Sequence, residues 1–386
     1  VTRLSIEEAV SRAATVADEV VAPAAATVDA EGRWPEEALR ALQGADLGGL
    51  VVPVEDGGHG HGLSALARVS EVLGRECAST ALCFAMHCVG AAVMAANPTD
   101  AQRTRFLKPI AEGRHLTTLT LSEPGTGAHF WLPRTRLRTE GDHLVVDGAK
   151  TFVTSGAHAD SYVVSAVHDD GRRGVGEFSC VVVEAGTPGV EWGPEWDGLG
   201  MRGNSSRSVR LDDVRLPAEA VLGEPGDQIW YVFNVVAPYF LVAMAGAYLG
   251  VAAGAFEEAR RHVVERRYDH DGSRLAEQPV IQHRIGELWA TVERTRQLVL
   301  HAAQLGDRGD PASLPAIASA KAEVAECAVT VTNEAMTLSG GIGYREHGAL
   351  GRRLRDARAA HVMSPTTDLL RLWTGRAVLG EHLLAE

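Results

Sequence analysis

The chain has 386 residues, 45% hydrophobic and 23% charged, ordinary usage for a globular protein with a sizeable core. Its formal net charge is −13, from 37 basic and 50 acidic residues, which argues against a nucleic-acid binder. Five scattered cysteines with no CxxC pair argue against a disulfide framework or a zinc site, and no metal is expected.

Residues 1–115 are Ala-rich and helical in period. Glu7-Glu8-Ala9-Val10 opens one helix. Trp34-Pro35-Glu36 opens another, with proline in the first turn. Residues 52–62 carry too many glycines for a regular element and read as a loop. Helical spacing then resumes over 63–74 and 79–96, where Cys83 and Cys88 read as small buried hydrophobes.

Residues 116–225 change period. The runs 143–148, 161–167, 178–183 and 208–211 are rich in β-branched residues and read as short strands. Gly141-Asp142, Asp169-Asp170-Gly171 and Gly186-Thr187-Pro188-Gly189 supply turns. This middle unit is expected to be a small β-barrel or sandwich.

Residues 226–386 return to helices. Residues 229–256 carry no charge and are long enough to cross a membrane by length alone. Asn234, Pro238 and the Ala/Gly content favour a buried core helix following a loop. Ile281, Ile285, Leu288, Trp289, Val292 and Val299 share one helical face, and Ile317, Ala320, Val324, Cys327, Val331 and Ala335 share another. No secretory leader is read at the start. The expected fold is α+β: an N-terminal helical domain, a central β domain and a C-terminal four-helix bundle, in a cytoplasmic protein with no membrane or nucleic-acid partner.

That block order and several motifs resemble the acyl-CoA dehydrogenase superfamily. Pro53 through Gly58 resembles its Pro-x-x-x-Gly-Gly loop, and Leu121-Ser122-Glu123-Pro124-Gly125-Thr126-Gly127 its flavin-side loop. Lys150-Thr151-Phe152-Val153-Thr154-Ser155-Gly156, Leu199 through Ser205, Gly340-Gly341-Ile342-Gly343-Tyr344 and Arg355-Asp356-Ala357-Arg358 match further family signatures. The resemblance implies FAD as cofactor and a homodimer or homotetramer. It implies a flavin lying between the β domain and the C-terminal helices. Leu121, Ser122 and Gly127 would present backbone groups to the flavin, Phe152 would cover a ring face, and Thr154 would bond near the reactive nitrogen. For Phe152 and Thr154 the alternative is plain strand packing. Arg266 or Arg267, Thr337, Gly340 and Gly341 would meet FAD across a subunit boundary, and Thr366 and Asp368 would complete the cofactor site.

The departures from the family lie on the substrate side. Met363-Ser364-Pro365-Thr366 stands where the resemblance places an aromatic residue, a glutamate, a glycine and a threonine. That glutamate is the family's proton-abstracting base, and here Ser364 replaces it. One subgroup keeps its base near Tyr239-Phe240-Leu241, which is apolar in this chain. After Gly127 the usual Ser-Asp becomes Ala128-His129-Phe130-Trp131. Phe130, Trp131, Phe240 and Met363 are expected to line the substrate pocket with Ser364.

Desaturation of an acyl thioester needs a carboxylate to take the α-proton, and a serine hydroxyl, un-ionised near neutrality, is no substitute. Three functions fit this loss. The carbanion could arise by decarboxylation of a β-keto acid, with flavin-mediated desaturation and mono-oxygenation to follow. The epoxyketone synthases of natural-product biosynthesis work in this way. The chain could be a reduced-flavin-dependent monooxygenase. It could be a dehydrogenase whose base is His129, His361 or Asp368, since histidine titrates near neutrality. The substrate class in each case is a carboxylic acid, a β-keto acid or an acyl thioester. In a fourth reading the chain is a degenerate, non-catalytic relative in which Ser364 only fills space.

Overall fold

The computed structural model describes residues 3–169, 178–224, 226 and 228–384. The first helix, α1 (Ile6–Val16), starts at a capping box: Ser5 Oγ accepts the Glu8 N–H at 3.1 Å, and the Glu8 carboxylate accepts the Ser5 N–H at 2.7 Å. A π-helical turn carries it into α2 (Ala22–Glu31), and α3 (Glu36–Gly44) follows Pro35 as read from sequence. The glycine-rich 52–62 segment is a loop holding one short 3₁₀ turn, Val54–Asp56. Next come α4 (Leu63–Glu76), the almost wholly buried α5 (Ala78–Ala96), and the short α6 (Asp100–Gln102) and α7 (Lys108–Ala111).

The middle unit has eight strands: β1 (Thr117–Thr120), β2 (Arg136–Glu140), β3 (His143–Val153), β4 (Ser161–His168), β5 (Phe178–Glu184), β6 (Val190–Trp192), β7 (Arg207–Pro217) and β8 (Val221–Leu222). Their order is β6-β7-β3-β2-β4-β5-β8, with β1 parallel to β4. The unit is a sandwich and not the closed barrel offered as the alternative. Pairing of β3 with β7 shifts register between Val146 and Gly148 and again between Lys150 and Val153. Such bulges bend the long pair and fold the sheet over. The expected turn at Asp170-Gly171 lies outside the described residues.

The C-terminal unit comprises α8 (Gln228–Tyr231), α9 (Ala237–Glu265), α10 (Pro279–Asp307), α11 (Ser313–Gly343), α12 (Ala349–Val362) and α13 (Thr367–Leu379). Long α9, α10 and α11 pack together. α12 lies against α9 and α11, and α13 lies along α11, so two shorter helices complete the bundle. No loop precedes Pro238, contrary to the sequence reading. A π-helical turn over Val232–Val236 joins α8 to α9. The hydrogen-bond ladder is already shifted where proline lacks its N–H. The face read on α10 holds for Leu288, Val292 and Val299, but Trp289 is 57% exposed. All six residues read on α11 are buried, as are Cys83 and Cys88.

The N-terminal helices dock on the bundle through α4 and α9. A Cβ built on Gly250 would lie 2.2 Å from the Glu71 carbonyl oxygen, and one on Gly246 would lie 2.3 Å from that of Ala67. Hydrogen in place of a side chain is what lets the two backbones touch. Two helices, Ala78–Ala96 and the one running through Ile229–Glu265, are long and apolar enough to span a membrane, but 94% and 83% of their apolar windows are buried inside the protein.

Candidate active site

A cavity of about 730 Å³ opens between the β unit and the C-terminal helices. One wall is the loop from Leu121 to Phe130, a second is the end of β3 with its following turn, and the far wall comes from α9 and the α12–α13 junction. Leu121, Ser122, Gly127, Phe130, Phe152, Thr154, Phe240, Met363, Ser364 and Thr366 all line it. Residues far apart in the sequence thus converge as the resemblance implied.

The loop wall is fixed from beneath by a buried ion pair. Lys150 on β3 donates to Glu123 Oε1 at 2.7 Å, to Ser165 Oγ at 2.8 Å and to the Leu121 carbonyl at 3.3 Å. The Glu123 carboxylate also accepts the backbone N–H groups of Arg134 (2.6 Å) and Thr135 (3.1 Å). Burial pushes the Glu123 carboxyl up. The Lys150 ammonium and the donors around the carboxylate outweigh this and hold it below the ordinary glutamate range. Among the described residues that line the cavity, Glu123 is the one carboxylate.

The second wall is built from unusual backbone. Phe152, Ser155, Met201 and Ser205 all have left-handed φ, between 50° and 56°, a conformation L-residues keep only when their surroundings hold it. The holding contacts join two loops: the Ser155 N–H donates to the Asn204 carbonyl (2.9 Å), and the Gly156 N–H to that of Ser205 (3.0 Å). Asp356 braces them from α12 by accepting the Met201 N–H at 2.5 Å. Burial raises that carboxyl to about 6. The outcome is a Phe152 ring 64% exposed at the cavity, edge-on to Trp196 at 6.1 Å.

At the far wall, the Ser364–Pro365 peptide is cis and Thr366 caps α13, its Oγ1 accepting the Leu369 N–H at 3.4 Å. Met363 and Phe240 give the apolar surface. Two buried polar atoms of the lining, Trp196 Nε1 and Ser364 Oγ, have no hydrogen-bond partner among the described residues. An exposed aromatic platform, a cross-braced loop and orphaned polar atoms suit a flat, polar-edged aromatic ring system.

Other expected site residues lie elsewhere. His129 is exposed outside the lining, its Nδ1 3.2 Å from the Thr126 carbonyl. Trp131 is buried behind the wall against Phe130 and Trp373, so it packs the core. Asp368 is exposed in the first turn of α13, and His361 is tied to Thr367 Oγ1 at 3.1 Å. Arg266 and Arg267 follow the end of α9, remote from the lining. Thr337 bonds back to the Asn333 carbonyl at 3.1 Å, and Gly340 (φ 59°, ψ −148°) kinks α11 in a backbone conformation that requires glycine. Sequence reasoning missed Glu123, Lys150 and Trp196. The first two carried a signal, since a lysine inside an apolar strand needs a buried counter-charge.

Three family profiles match the chain: acyl-CoA dehydrogenase N-terminal domain at residues 5–114, middle domain at 118–214 and C-terminal domain at 239–379. The chain is 32% identical over 365 residues to cyclohex-1-ene-1-carbonyl-CoA dehydrogenase of Geobacter metallireducens, covering 94% of this chain and 95% of that protein. It is 33% identical over 362 residues to the Syntrophus aciditrophicus enzyme of the same name, covering 93% and 86%. The fold superposes on butyryl-CoA dehydrogenase of Megasphaera elsdenii with TM-score 0.91 and 26% identity, over 98% of this chain and 100% of that one.

Proposed function

This chain belongs to the acyl-CoA dehydrogenase family and has its FAD-binding fold, and from that premise we propose a flavin-dependent oxidoreductase that makes its carbanion by decarboxylation and couples this to desaturation and mono-oxygenation. The substrate is a β-keto acid, free or carried as part of a thioester-derived chain. The product is oxygenated, in the manner of the epoxyketone synthases.

One observation carries this reading: the cavity offers no free base. By the motif resemblance Ser364 would stand in the position of the family glutamate, and its Oγ is buried with no hydrogen-bond partner among the described residues. Phe240 fills the alternative position. Glu123 is locked to Lys150 and to two backbone N–H groups. A carboxylate so neutralised has no capacity to take an α-proton. His129 as a substitute base is disfavoured, because it is exposed and is not among the residues that line the cavity.

A β-keto acid avoids the need. When its C–C bond to the carboxylate breaks, carbon dioxide leaves and the electron pair stays on the α-carbon as an enolate. FAD, when bound, supplies a two-electron acceptor for a hydride from a substituent carbon on that α-carbon, the carbon β to the ketone that remains. With dioxygen as co-substrate the balance closes: β-keto acid plus O₂ gives epoxyketone, CO₂ and water, with no outside reductant. Phe152 and Thr154 would hold the flavin, and the apolar wall of Phe130, Phe240 and Met363 would exclude water from the enolate. Arg266 or Arg267 and Gly340-Gly341, remote from this cavity, would serve the FAD of a partner subunit in a homodimer or homotetramer.

The test mixes holoenzyme with a β-keto acid without oxygen. Carbon dioxide release with loss of the oxidised flavin band is expected, and admission of air should yield the oxygenated product. Product formed only with an added flavin reductase would establish the reduced-flavin monooxygenase instead. Bleaching by a saturated acyl-CoA with no carbon dioxide would return the chain to ordinary dehydrogenation.

A further inference from the structure

Lys321 lies on α11 with its side chain wholly buried. Its Nζ donates to three backbone carbonyls: Ala360 at 2.7 Å, Pro365 at 3.0 Å and Met363 at 3.1 Å. Among the described residues no carboxylate pairs with it. A buried ammonium without an anion is costly, and here burial pulls its pKa down to about 7. A methionine would fill the same space without that cost. The three acceptors show what the lysine does instead. They belong to the last turn of α12 and to the turn into α13, where helical carbonyls have no partners of their own. That turn carries Met363, Ser364, Pro365 and Thr366 into the cavity wall.

The turn is also held from α9. The hydroxyl of buried Tyr248 lies 3.7 Å from Met363 Sδ and 3.5 Å from Met201 Sδ, so it touches both cavity walls. Lys321 itself reaches neither cavity nor solvent. We propose that Lys321 is a positioning residue: by clamping three carbonyls of the 360–365 turn it sets where Ser364 and its neighbours stand against the flavin and the substrate. The inference rests on reading the cavity as the flavin site, and it is independent of decarboxylation.

The test compares holoenzyme carrying Lys321→Gln and Lys321→Met with the parent. Gln offers two N–H donors and Met none. Visible circular dichroism of bound FAD, its dissociation constant and the spectral shift produced by acetoacetyl-CoA need no turnover. Expected is a graded change, parent to Gln to Met, with acetoacetyl-CoA bound about tenfold more weakly by the Met variant. If Met does not fold, the Gln variant decides by the same signals. Flavin dichroism and ligand affinity unchanged in whichever variant folds, even with a lowered melting temperature, would overturn the proposal and leave Lys321 a helix cap. Failure of the decarboxylation reading would show separately, as no carbon dioxide from the parent enzyme.

Discussion

Replacing Lys150 with methionine should convert the best-satisfied carboxylate of the site into its worst. Glu123 would keep two backbone donors but lose its counter-charge, in a place where its side chain is 3% exposed. An unpaired buried carboxylate can escape by taking a proton. From an ordinary pKa of 4.5, protonation at pH 7 costs about 3 kcal/mol. That sets a ceiling near the usual cost of about 3–5 kcal/mol for breaking a buried pair. The deficit should depend on pH. In the parent, Glu123 is held low, so its stability contribution is present above pH 4.5 and lost as pH falls through its depressed native value. In Lys150→Met the native value is raised, so the variant gains on the parent as pH drops from 7 toward 4.5. The double variant Glu123→Gln/Lys150→Met removes both charges and keeps an acceptor for the loop N–H groups, and it should recover to within about 1 kcal/mol of the parent. Urea unfolding of the three proteins at pH 7 and pH 5 measures all of this. A single-variant cost under about 1 kcal/mol, or a double variant no more stable than Lys150→Met, would refute the structural role assigned to the pair.

Ser364→Glu places a carboxylate at the cavity wall and should speed anaerobic flavin bleaching by a saturated acyl-CoA by about 100-fold, read by stopped-flow absorbance. Phe152→Ala removes a ring that is already exposed, so melting of the apoprotein should be unchanged while FAD dissociates more readily in an ultrafiltration assay. His87, fully buried on α5, is held neutral and burial lowers its pKa to about 4, with Nδ1 accepting the Thr117 N–H at 3.1 Å. The unfolded chain takes this proton below pH 6.5 and the native chain only below about 4. Its contribution is therefore complete above pH 6.5 and falls by about 3 kcal/mol on acidification toward pH 4; His87→Gln should flatten that part of the stability–pH curve. Gly250→Ala should destabilise by about 1 kcal/mol or more despite its gain in helix propensity, because its Cβ meets the α4 backbone at Glu71 and Arg75, and thermal unfolding reads the sign.

The order of helical, β and helical units was legible because each has its own hydrophobic period, and two walls of the cavity were legible because motifs fix them. Periodicity did not separate Trp289 from Leu288 on α10, since neighbours one step apart both pass a loose face test while only one points inward. It missed β1, β2, β6 and β8, whose two to five residues are too few for an alternation to stand out. It placed a loop before Pro238 because a π-helical turn has no sequence signature that outweighs proline. In the site, His129 and Trp131 were expected beside Phe130 by adjacency. The Thr126–Leu132 segment runs as turns, so adjacency does not fix direction, and only Phe130 of the three lines the cavity while Trp131 packs against Phe130 and Trp373. Left-handed Phe152 was beyond reach, because the crossing loop that imposes its conformation lies about fifty residues along the chain.

The two buried lysines share a logic that bears on function. Each sits where an apolar side chain would cost less, and each grips backbone or carboxylate beneath one wall of the same cavity: Lys150 under the 121–130 loop, Lys321 under the 360–365 turn. A desolvated ammonium is costly unless its hydrogen bonds are met, so each lysine must be held by the wall it grips. Their full satisfaction, five hydrogen bonds around the first pair and three around the second lysine, favours a site still held for turnover. Both walls are braced, and the carboxylate found among the described lining residues is held in an ion pair. That combination fits the proposed reaction, in which geometry and not a base would control the carbanion, and it argues against a degenerate relative.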